Sequence, residues 1–121
     1  MHKKILIIED EQTITKAWAT ELTEGNGFKI ETASDGQQGW EKAKELKPDL
    51  IVLDLILPKL DGFSVLQKIK SNEETKNIPI VVLTNLSDVH DKVRQLGAEE
   101  CLIKSDSTMD DIKTKIKNQL S

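Results

Sequence analysis

Four short runs along the chain are almost entirely hydrophobic and rich in β-branched residues. They span residues 5–8, 50–53, 80–83 and 101–103. Their length and branching are typical of strands that are covered on both faces, as in a parallel sheet. A fifth segment, 28–33, alternates hydrophobic and polar residues, which is typical of a strand with one wetter face. The pattern therefore predicts a five-stranded sheet with segment 28–33 at its edge.

The segments between these strands carry hydrophobic residues at helical spacing. Gly97 is a predicted stop for the fourth helix, and Thr108 with Asp111 resembles a capping box at the start of the fifth. Turn residues at 25–27 precede the edge strand. Alternating strands and helices predict right-handed crossovers and helices on both sheet faces, which is a doubly wound α/β sandwich. The five hydrophobic stripes are Ile14, Ala17, Trp18 and Leu22; Trp40, Ala43 and Leu46; Val65, Leu66 and Ile69; Val89, Val93 and Leu96; and Met109, Ile112, Ile116 and Leu120.

Length, charge and cysteine content narrow the class of protein. We expect residues 1–121 to form one domain with a single core. The net charge of −4 gives no general attraction to nucleic acid or to an anionic membrane. Cys101 is the only cysteine and suits a reducing compartment. The hydrophobic run at 5–8 is too short for a signal-peptide core or a membrane span. These features predict a cytoplasmic domain that does not bind DNA directly.

Chemically distinctive residues follow four of the predicted strands. They are Glu9 and Asp10, Asp54, Thr84 and Lys104. The carboxyl ends of parallel strands meet at one edge of the sheet, where ligands bind in such folds. Three carboxylates gathered there repel one another unless a cation or a proton offsets the charge. Carboxylate oxygens without paired histidine or cysteine favour Mg²⁺.

The remaining residues of this set indicate phosphoryl chemistry. A phosphoryl group in transfer carries charge on several oxygens, which the Lys104 ammonium and the Thr84 hydroxyl can stabilise. Asp54 can act as a nucleophile and form an acyl phosphate. Any one of the three acidic residues is more simply a solvated loop residue, but that interpretation becomes weak for the whole set. The prediction is Mg²⁺-dependent phosphorylation of Asp54.

At these residues the sequence closely resembles the receiver domain of bacterial two-component response regulators, over essentially its full length. The resemblance implies a flavodoxin-like (βα)5 three-layer sandwich with strand order 2-1-3-4-5. It also implies a phosphorelay function, in which Asp54 accepts a phosphoryl group from a sensor histidine kinase or a histidine phosphotransfer protein and the domain then switches partner binding. The matching stretches are 5–11 (ILIIEDE), 48–58 (PDLIVLDLILP), 61–63 (DGF), 79–84 (PIVVLT), 96–98 (LGA) and 101–104 (CLIK).

The resemblance assigns roles to the acidic residues. Asp10 and Asp54 would ligate Mg²⁺ directly. Glu9 would act mainly through a metal-bound water, and the backbone carbonyl of Ile56 would complete the protein ligands. Magnesium is thus the expected cofactor.

The resemblance places a conformational switch in the loop after the fourth strand. Thr84 and Lys104 would hold the phosphoryl oxygens, and Thr84 would move inward, altering the face formed by the fourth helix, the fifth strand and the fifth helix. Many relatives carry tyrosine or phenylalanine at the position of Cys101, whereas this chain has no tyrosine. We therefore expect the output change to travel through the backbone and packing around Thr84, Asn85 and Leu86.

A second departure from the family pattern lies directly after Lys104. Many relatives have a proline there, joined by a cis peptide bond that helps to aim the lysine, whereas this chain has Ser105. A cis bond before a residue other than proline costs about 2.5–4 kcal/mol. A trans bond between Lys104 and Ser105 is therefore predicted.

Several other residues receive simpler interpretations. Ile56 and Leu86 lie two positions beyond site residues, and we hypothesise that they shield the acyl phosphate from water and prolong its lifetime. His2 and His90 form no ligand cluster and are predicted to be surface residues. Trp18 and Trp40 fall on helical stripes and are predicted to pack against the sheet.

Two other classes of function remain open at this point. One is a Mg²⁺-dependent phosphatase or phosphotransferase with an aspartyl intermediate, which would need a second carboxylate as general acid and a cap or pocket for its substrate. The other is an interaction module in which the acidic site is vestigial. The short chain with no evident cap argues against the first, and the presence of all five chemical positions argues against the second. The leading hypothesis is a signalling receiver that promotes its own phosphorylation and is not a turnover enzyme.

Overall fold

Strands and helices alternate along the chain. The computed structural model describes residues 3–24 and 27–120. Residues 25 and 26 of the predicted turn, and His2, lie outside the described residues. A short 3-10 turn, Lys104–Asp106, separates the last strand from the last helix. The strands are β1 (Lys4–Ile8), β2 (Lys29–Ala33), β3 (Leu50–Leu53), β4 (Ile80–Thr84) and β5 (Glu100–Ile103), and the helices are α1 (Gln12–Thr23), α2 (Gly36–Leu46), α3 (Gly62–Ser71), α4 (His90–Gln95) and α5 (Met109–Leu120).

The five strands form one parallel sheet in the order β2-β1-β3-β4-β5. This order and the alternation of elements confirm the predicted flavodoxin-like α/β fold. The edge position of β2 is also confirmed, and its residues are more exposed than those of β1, β3 and β4. A strand covered by helices on both faces must be hydrophobic at every position, which explains the unbroken runs in the sequence.

The central strands divide their side chains between two cores. In β1, Leu6 and Ile8 belong to the core shared with α2, α3 and α4, whereas Ile5 and Ile7 belong to the core shared with α1 and α5. Successive residues of a strand point to opposite faces, so each strand contributes to both cores. The helices therefore cover the sheet on both sides, and its carboxyl edge is left open for chemistry.

One residue that the sequence analysis placed on a buried helical stripe is not buried. Ala17 is exposed, and Thr15 is buried in its place beside Trp18 and Leu22. At about 100° per residue, Thr15, Trp18 and Leu22 share one face of α1, whereas Ala17 lies about 100° beyond Trp18, on the side away from Thr15 and Leu22. Thr15 satisfies its hydroxyl by donating to the Glu11 carbonyl at 3.1 Å, which allows a polar residue in the core.

Helix boundaries agree with the predicted signals. Asp111 donates its backbone N–H to Thr108 Oγ1 at 3.1 Å, and its carboxylate accepts from the Thr108 N–H at 2.9 Å. This confirms the capping box of α5. Gly97 follows α4 with a φ of 106°, a conformation that favours glycine.

Within the described residues, no helix is both long enough and apolar enough to cross a membrane.

Candidate functional site

Strand register brings the acidic residues together at the carboxyl edge of the sheet. Ile8 of β1 lies opposite Leu53 of β3, and the backbone N–H of Asp54 donates to the Ile8 carbonyl at 3.0 Å. Glu9 and Asp54, each the first residue after its strand, are therefore neighbours. The sequence predicted this edge because parallel strands end on the same side.

The Lys104 ammonium lies between two of these carboxylates. Its Nζ donates to Asp54 at 2.8 Å and to Glu9 at 2.5 Å. The side chains are 13% exposed for Lys104, 7% for Asp54 and 0% for Glu9, so water screens these contacts poorly. One ammonium faces two carboxylates, and the pair of acids keeps an excess of negative charge.

This crowding distributes the protons unequally between the two acids. Burial and the hydrogen bond with Asp54 raise the pKa of Glu9 to about 7, although Lys104 acts in the opposite direction. Burial also disfavours the Asp54 anion, but hydrogen bonds with Glu9 and Lys104 hold the pKa of Asp54 below its ordinary value. Burial works against the Lys104 charge as well, yet its bonds to both carboxylates raise its pKa. The Asp54 carboxyl therefore ionises at lower pH than the Glu9 carboxyl.

Backbone donors also orient the Asp54 carboxylate. Its Oδ1 accepts from the N–H of Leu55 at 2.7 Å and from the N–H of Ile56 at 3.3 Å, whereas its Oδ2 accepts from Lys104. Donors on both oxygens stabilise the anion and fix the plane of the carboxylate. The backbone N–H of Asp10 bonds Glu9 Oε2 at 3.1 Å, which joins the third acidic residue to the cluster.

The three acidic residues fit a hard divalent cation. Glu9, Asp10 and Asp54 each offer one carboxylate oxygen, and these atoms lie within 4.8 Å of one another. Glu9 and Asp54 are buried, whereas Asp10 is exposed and faces solvent from which an ion arrives. An all-oxygen donor set that is partly open to water matches the preferences of Mg²⁺.

Helix α3 approaches Asp54 more closely than the sequence indicated. A Cβ atom built on Gly62 would lie 2.3 Å from the Asp54 carbonyl oxygen and 2.4 Å from Leu55 Cα. The Gly62 N–H donates to the Leu55 carbonyl at 2.9 Å, and Asp61 caps the helix by accepting from the Ser64 N–H. The sequence signal for this approach is the Asp61-Gly62 pair, in which glycine directly follows a capping aspartate, but the same pair is also a general signature of a turn.

The end of β4 and the loop after it carry Thr84, Asn85 and Leu86. Thr84 is the buried last residue of β4 and lies opposite Ile103, so it is next to Lys104 along the edge. Its Oγ1 accepts from the Leu86 N–H at 3.3 Å. Asn85 Oδ1 accepts from the Ser105 N–H at 2.9 Å, a contact that the sequence did not predict.

Cys101 lies buried on β5, and burial raises the pKa of its thiol. His90 is exposed as predicted, and its Nε2 lies 3.0 Å from the Cys101 carbonyl oxygen. Trp18 and Trp40 pack against opposite cores, which confirms their structural interpretation. The peptide bond between Lys104 and Ser105 is trans, as predicted.

Ile56 and Leu86 differ in exposure. Ile56 is 57% exposed and is the exposed large hydrophobic residue in the described part of the chain. Leu86 is partly buried against the core shared with α3 and α4. The shielding role of both side chains, and the Ile56 carbonyl as a metal ligand, stay predictions.

Comparisons with known proteins agree over most of the chain. The sequence model of the response regulator receiver domain family matches residues 5–117. The chain is 42% identical over 103 residues to the DNA-binding dual master transcriptional regulator RpaA of Synechocystis, covering 84% of this chain and 42% of that protein. It is 42% identical over 106 residues to the alkaline phosphatase synthesis transcriptional regulatory protein PhoP of Bacillus subtilis, covering 86% of this chain and 43% of that protein. The chain thus spans less than half the length of these two relatives.

A solved structure supports the same comparison. The receiver domain of the sensor histidine kinase PA1611 from Pseudomonas aeruginosa is 26% identical, with a TM-score of 0.83 and coverage of 99% of this chain and 98% of that chain. That structure has a magnesium ion coordinated in its active site cleft.

Proposed function

The chain belongs to the response regulator receiver domain family, and on that premise we propose that Asp54 is the residue that accepts the phosphoryl group. Receiver domains are the phosphoacceptors of two-component systems and are signalling modules rather than turnover enzymes. We extend the assignment to the whole of residues 1–121 as one receiver domain. The observation that carries the proposal is the Asp54 carboxylate, which is oriented by backbone donors and lies beside Lys104 and two further acids.

The reaction follows from the groups around Asp54. A carboxylate oxygen of Asp54 forms a bond to phosphorus as the phosphorus–nitrogen bond of a phosphohistidine breaks, and the leaving imidazole takes up a proton. Lys104 already holds the nucleophile and is placed to pair with a phosphoryl oxygen. The Thr84 hydroxyl is the second proposed donor to the phosphoryl oxygens.

The acidic cluster would hold Mg²⁺. Asp10 and Asp54 would bind the ion directly, Glu9 through a water molecule, and Ile56 through its backbone carbonyl. When bound, Mg²⁺ supplies positive charge to the phosphoryl oxygens. The three clustered carboxylates outnumber the Lys104 ammonium, which contacts only Glu9 and Asp54, so a bound divalent cation would offset the repulsion among them.

Membership of the receiver domain family implies that the phosphodonor is a histidine kinase. We propose that the donor to this chain is such a kinase or a histidine phosphotransfer protein, and that the reaction takes place in the cytoplasm. The phosphorylated domain then changes its affinity for an effector through the loop at Thr84, Asn85 and Leu86 and the face formed by α4, β5 and α5. DNA binding is a property of the longer relative RpaA.

The direct test is intact-mass analysis of the protein after incubation with Mg²⁺ and a small acyl-phosphate donor. We expect one added phosphoryl group on the native chain and none on Asp54→Asn. The control Asp49→Asn changes an exposed acid immediately before β3, at the opposite end of the strand from Asp54, and should still be phosphorylated. A native chain that gains no adduct, or an Asp54→Asn variant that gains the same one, would overturn the proposal.

Magnesium binding is tested separately by titration of the unphosphorylated protein. Asp10→Ala removes one proposed ligand and should abolish Mg²⁺ binding. Asp10 is exposed and lies after β1, so this substitution should leave the fold intact. Unchanged Mg²⁺ affinity in Asp10→Ala would contradict the proposed ligand set.

A further inference from the structure

Two loops at the site are joined by one side chain. The amide oxygen of Asn85 accepts a hydrogen bond from the backbone N–H of Ser105 at 2.9 Å. Asn85 follows Thr84 at the end of β4, and Ser105 follows Lys104 at the end of β5. We propose that Asn85 is a positioning residue for Lys104 in the phosphorylation reaction. This inference rests on the proposed function of Asp54.

The contact acts on the peptide unit that carries Lys104. The Ser105 N–H belongs to the same planar peptide as the Lys104 carbonyl, so a fixed N–H direction fixes the direction in which the chain leaves β5. The Lys104 side chain is long and has many rotamers, yet its Nζ must reach Glu9 and Asp54 together. A small rotation at the backbone would move the ammonium away from one of these partners.

Other bonds hold the far side of the same turn. Ser107 Oγ donates to the Ile103 carbonyl at 2.8 Å, and the Ser107 N–H donates to the Lys104 carbonyl at 3.4 Å. These bonds connect the turn to itself. The Asn85 contact is different because it connects the turn to the loop that follows Thr84. The positions of Lys104 and of the Thr84 loop are therefore linked by a side chain.

The arrangement depends on a backbone donor at position 105. Proline has no N–H and could not make this bond. The serine hydroxyl is not part of the contact, and only the oxygen of the Asn85 amide can accept from an N–H. The proposal therefore distinguishes the Asn85 side chain, which is required, from the Ser105 side chain, which is not.

The kinetic test compares variants under the same Mg²⁺ and acyl-phosphate conditions. Asn85→Ala should slow phosphorylation of Asp54 by about three- to tenfold, the effect of losing one hydrogen bond. Ser105→Ala keeps the backbone N–H and should react at the native rate. Native-like kinetics in Asn85→Ala, or a loss in Ser105→Ala equal to that in Asn85→Ala, would refute the proposal.

A double variant tests whether the effect passes through the lysine. If Asn85 acts by positioning Lys104, Asn85→Ala should cause no further slowing in a Lys104→Ala background. An equal loss in both backgrounds would show that Asn85 acts elsewhere in the site and would end the proposal.

A spectroscopic test uses the unphosphorylated protein. Lys104 Nζ lies over the Trp18 ring, 5.9 Å from its centre, so we expect the NMR signals of the adjacent ε-methylene protons to depend on the position of the lysine side chain. Asn85→Ala should move these signals toward those of a free lysine, whereas Ser105→Ala should not. Unchanged Lys104 signals in Asn85→Ala would refute positioning even if phosphorylation fails altogether. Failure of the native chain to accept a phosphoryl group would count only against the proposed function.

Discussion

Gly62 offers a sharp test of how the fold supports the site. Replacing it by alanine places a Cβ atom 2.3 Å from the Asp54 carbonyl oxygen and 2.4 Å from Leu55 Cα. Ordinary contacts at a Cβ atom begin at 3.4 Å, so helix α3 and the backbone of Asp54 must separate by roughly 1 Å. Both obstructing atoms belong to the backbone and cannot move as a flexible side chain would.

The magnitude follows from two opposing effects of Gly62→Ala. Alanine is favoured over glycine in a helix by about 1 kcal/mol, whereas overpacking of a filled site typically costs about 1–3 kcal/mol and occasionally more. Because two backbone atoms obstruct the methyl group at once, we expect the upper end of that range. The net effect should be a loss of about 2 kcal/mol of unfolding free energy. The phosphorylation rate of Asp54 should fall as well, since its carbonyl must move.

Urea unfolding at neutral pH measures the first effect, and intact-mass kinetics measure the second. Gln67→Ala is the matched control, because Gln67 is exposed on the same helix. It should keep native stability within about 0.5 kcal/mol and a native phosphorylation rate. A Gly62→Ala variant that is as stable as the native chain would refute the argument that α3 starts against the Asp54 backbone.

Three further predictions concern other parts of the molecule. Asp61→Ala should lose about 0.5–2 kcal/mol at pH 7, measured by urea unfolding, because Asp61 caps α3. Hydrogen bonds from Ser64 lower the pKa of Asp61, so the ionised cap contributes its full stabilisation above the unfolded pKa. The difference in unfolding free energy between the native chain and Asp61→Ala should therefore narrow as pH falls below about 4. A difference that stays constant with pH would contradict this. The lifetime of the phosphoryl group should shorten by about three- to tenfold in Ile56→Asn and in Leu86→Asn, because the new amide can form one hydrogen bond to the attacking water. Decay that intact-mass analysis finds unchanged would exclude shielding by these side chains. Burial raises the pKa of the Cys101 thiol, so the thiol of the folded chain stays protonated at pH 8. At that pH a disulfide reagent should modify the folded chain at least roughly tenfold more slowly than the urea-unfolded chain. Equal rates would show that the thiol is accessible in the folded chain.

The agreement between sequence and structure is best for the elements whose burial pattern is local. The run at 50–53 coincides with β3, and the alternating segment at 28–33 contains the edge strand β2. The prediction that Ala17 is buried was wrong because its angle around α1 points it away from the face that packs on the sheet. Thr15 lies on that face despite being polar, and its hydroxyl is satisfied by the carbonyl of the preceding turn.

The site separates into what strand ends predict and what packing decides. Placing Glu9, Asp54 and Lys104 at one edge required only the parallel order of the strands. The unequal sharing of protons between Glu9 and Asp54 required their actual separation and burial, because a pKa depends on the distance to each charge and on the loss of water. The link between Asn85 and Ser105 joins residues twenty positions apart, and no local pattern marks such a contact.

By itself, the sequence determined the succession of strands and helices along the chain, the two-sided burial of the sheet and the residue types gathered at its carboxyl edge. These follow from hydrophobic periodicity and from residue types that each segment carries alone. The tertiary structure decided that Lys104 lies between two acids, that Gly62 touches the backbone of Asp54 and that Asn85 holds the turn after Lys104. Those contacts join segments far apart in the chain, so their distances exist only after the helices have packed on the sheet.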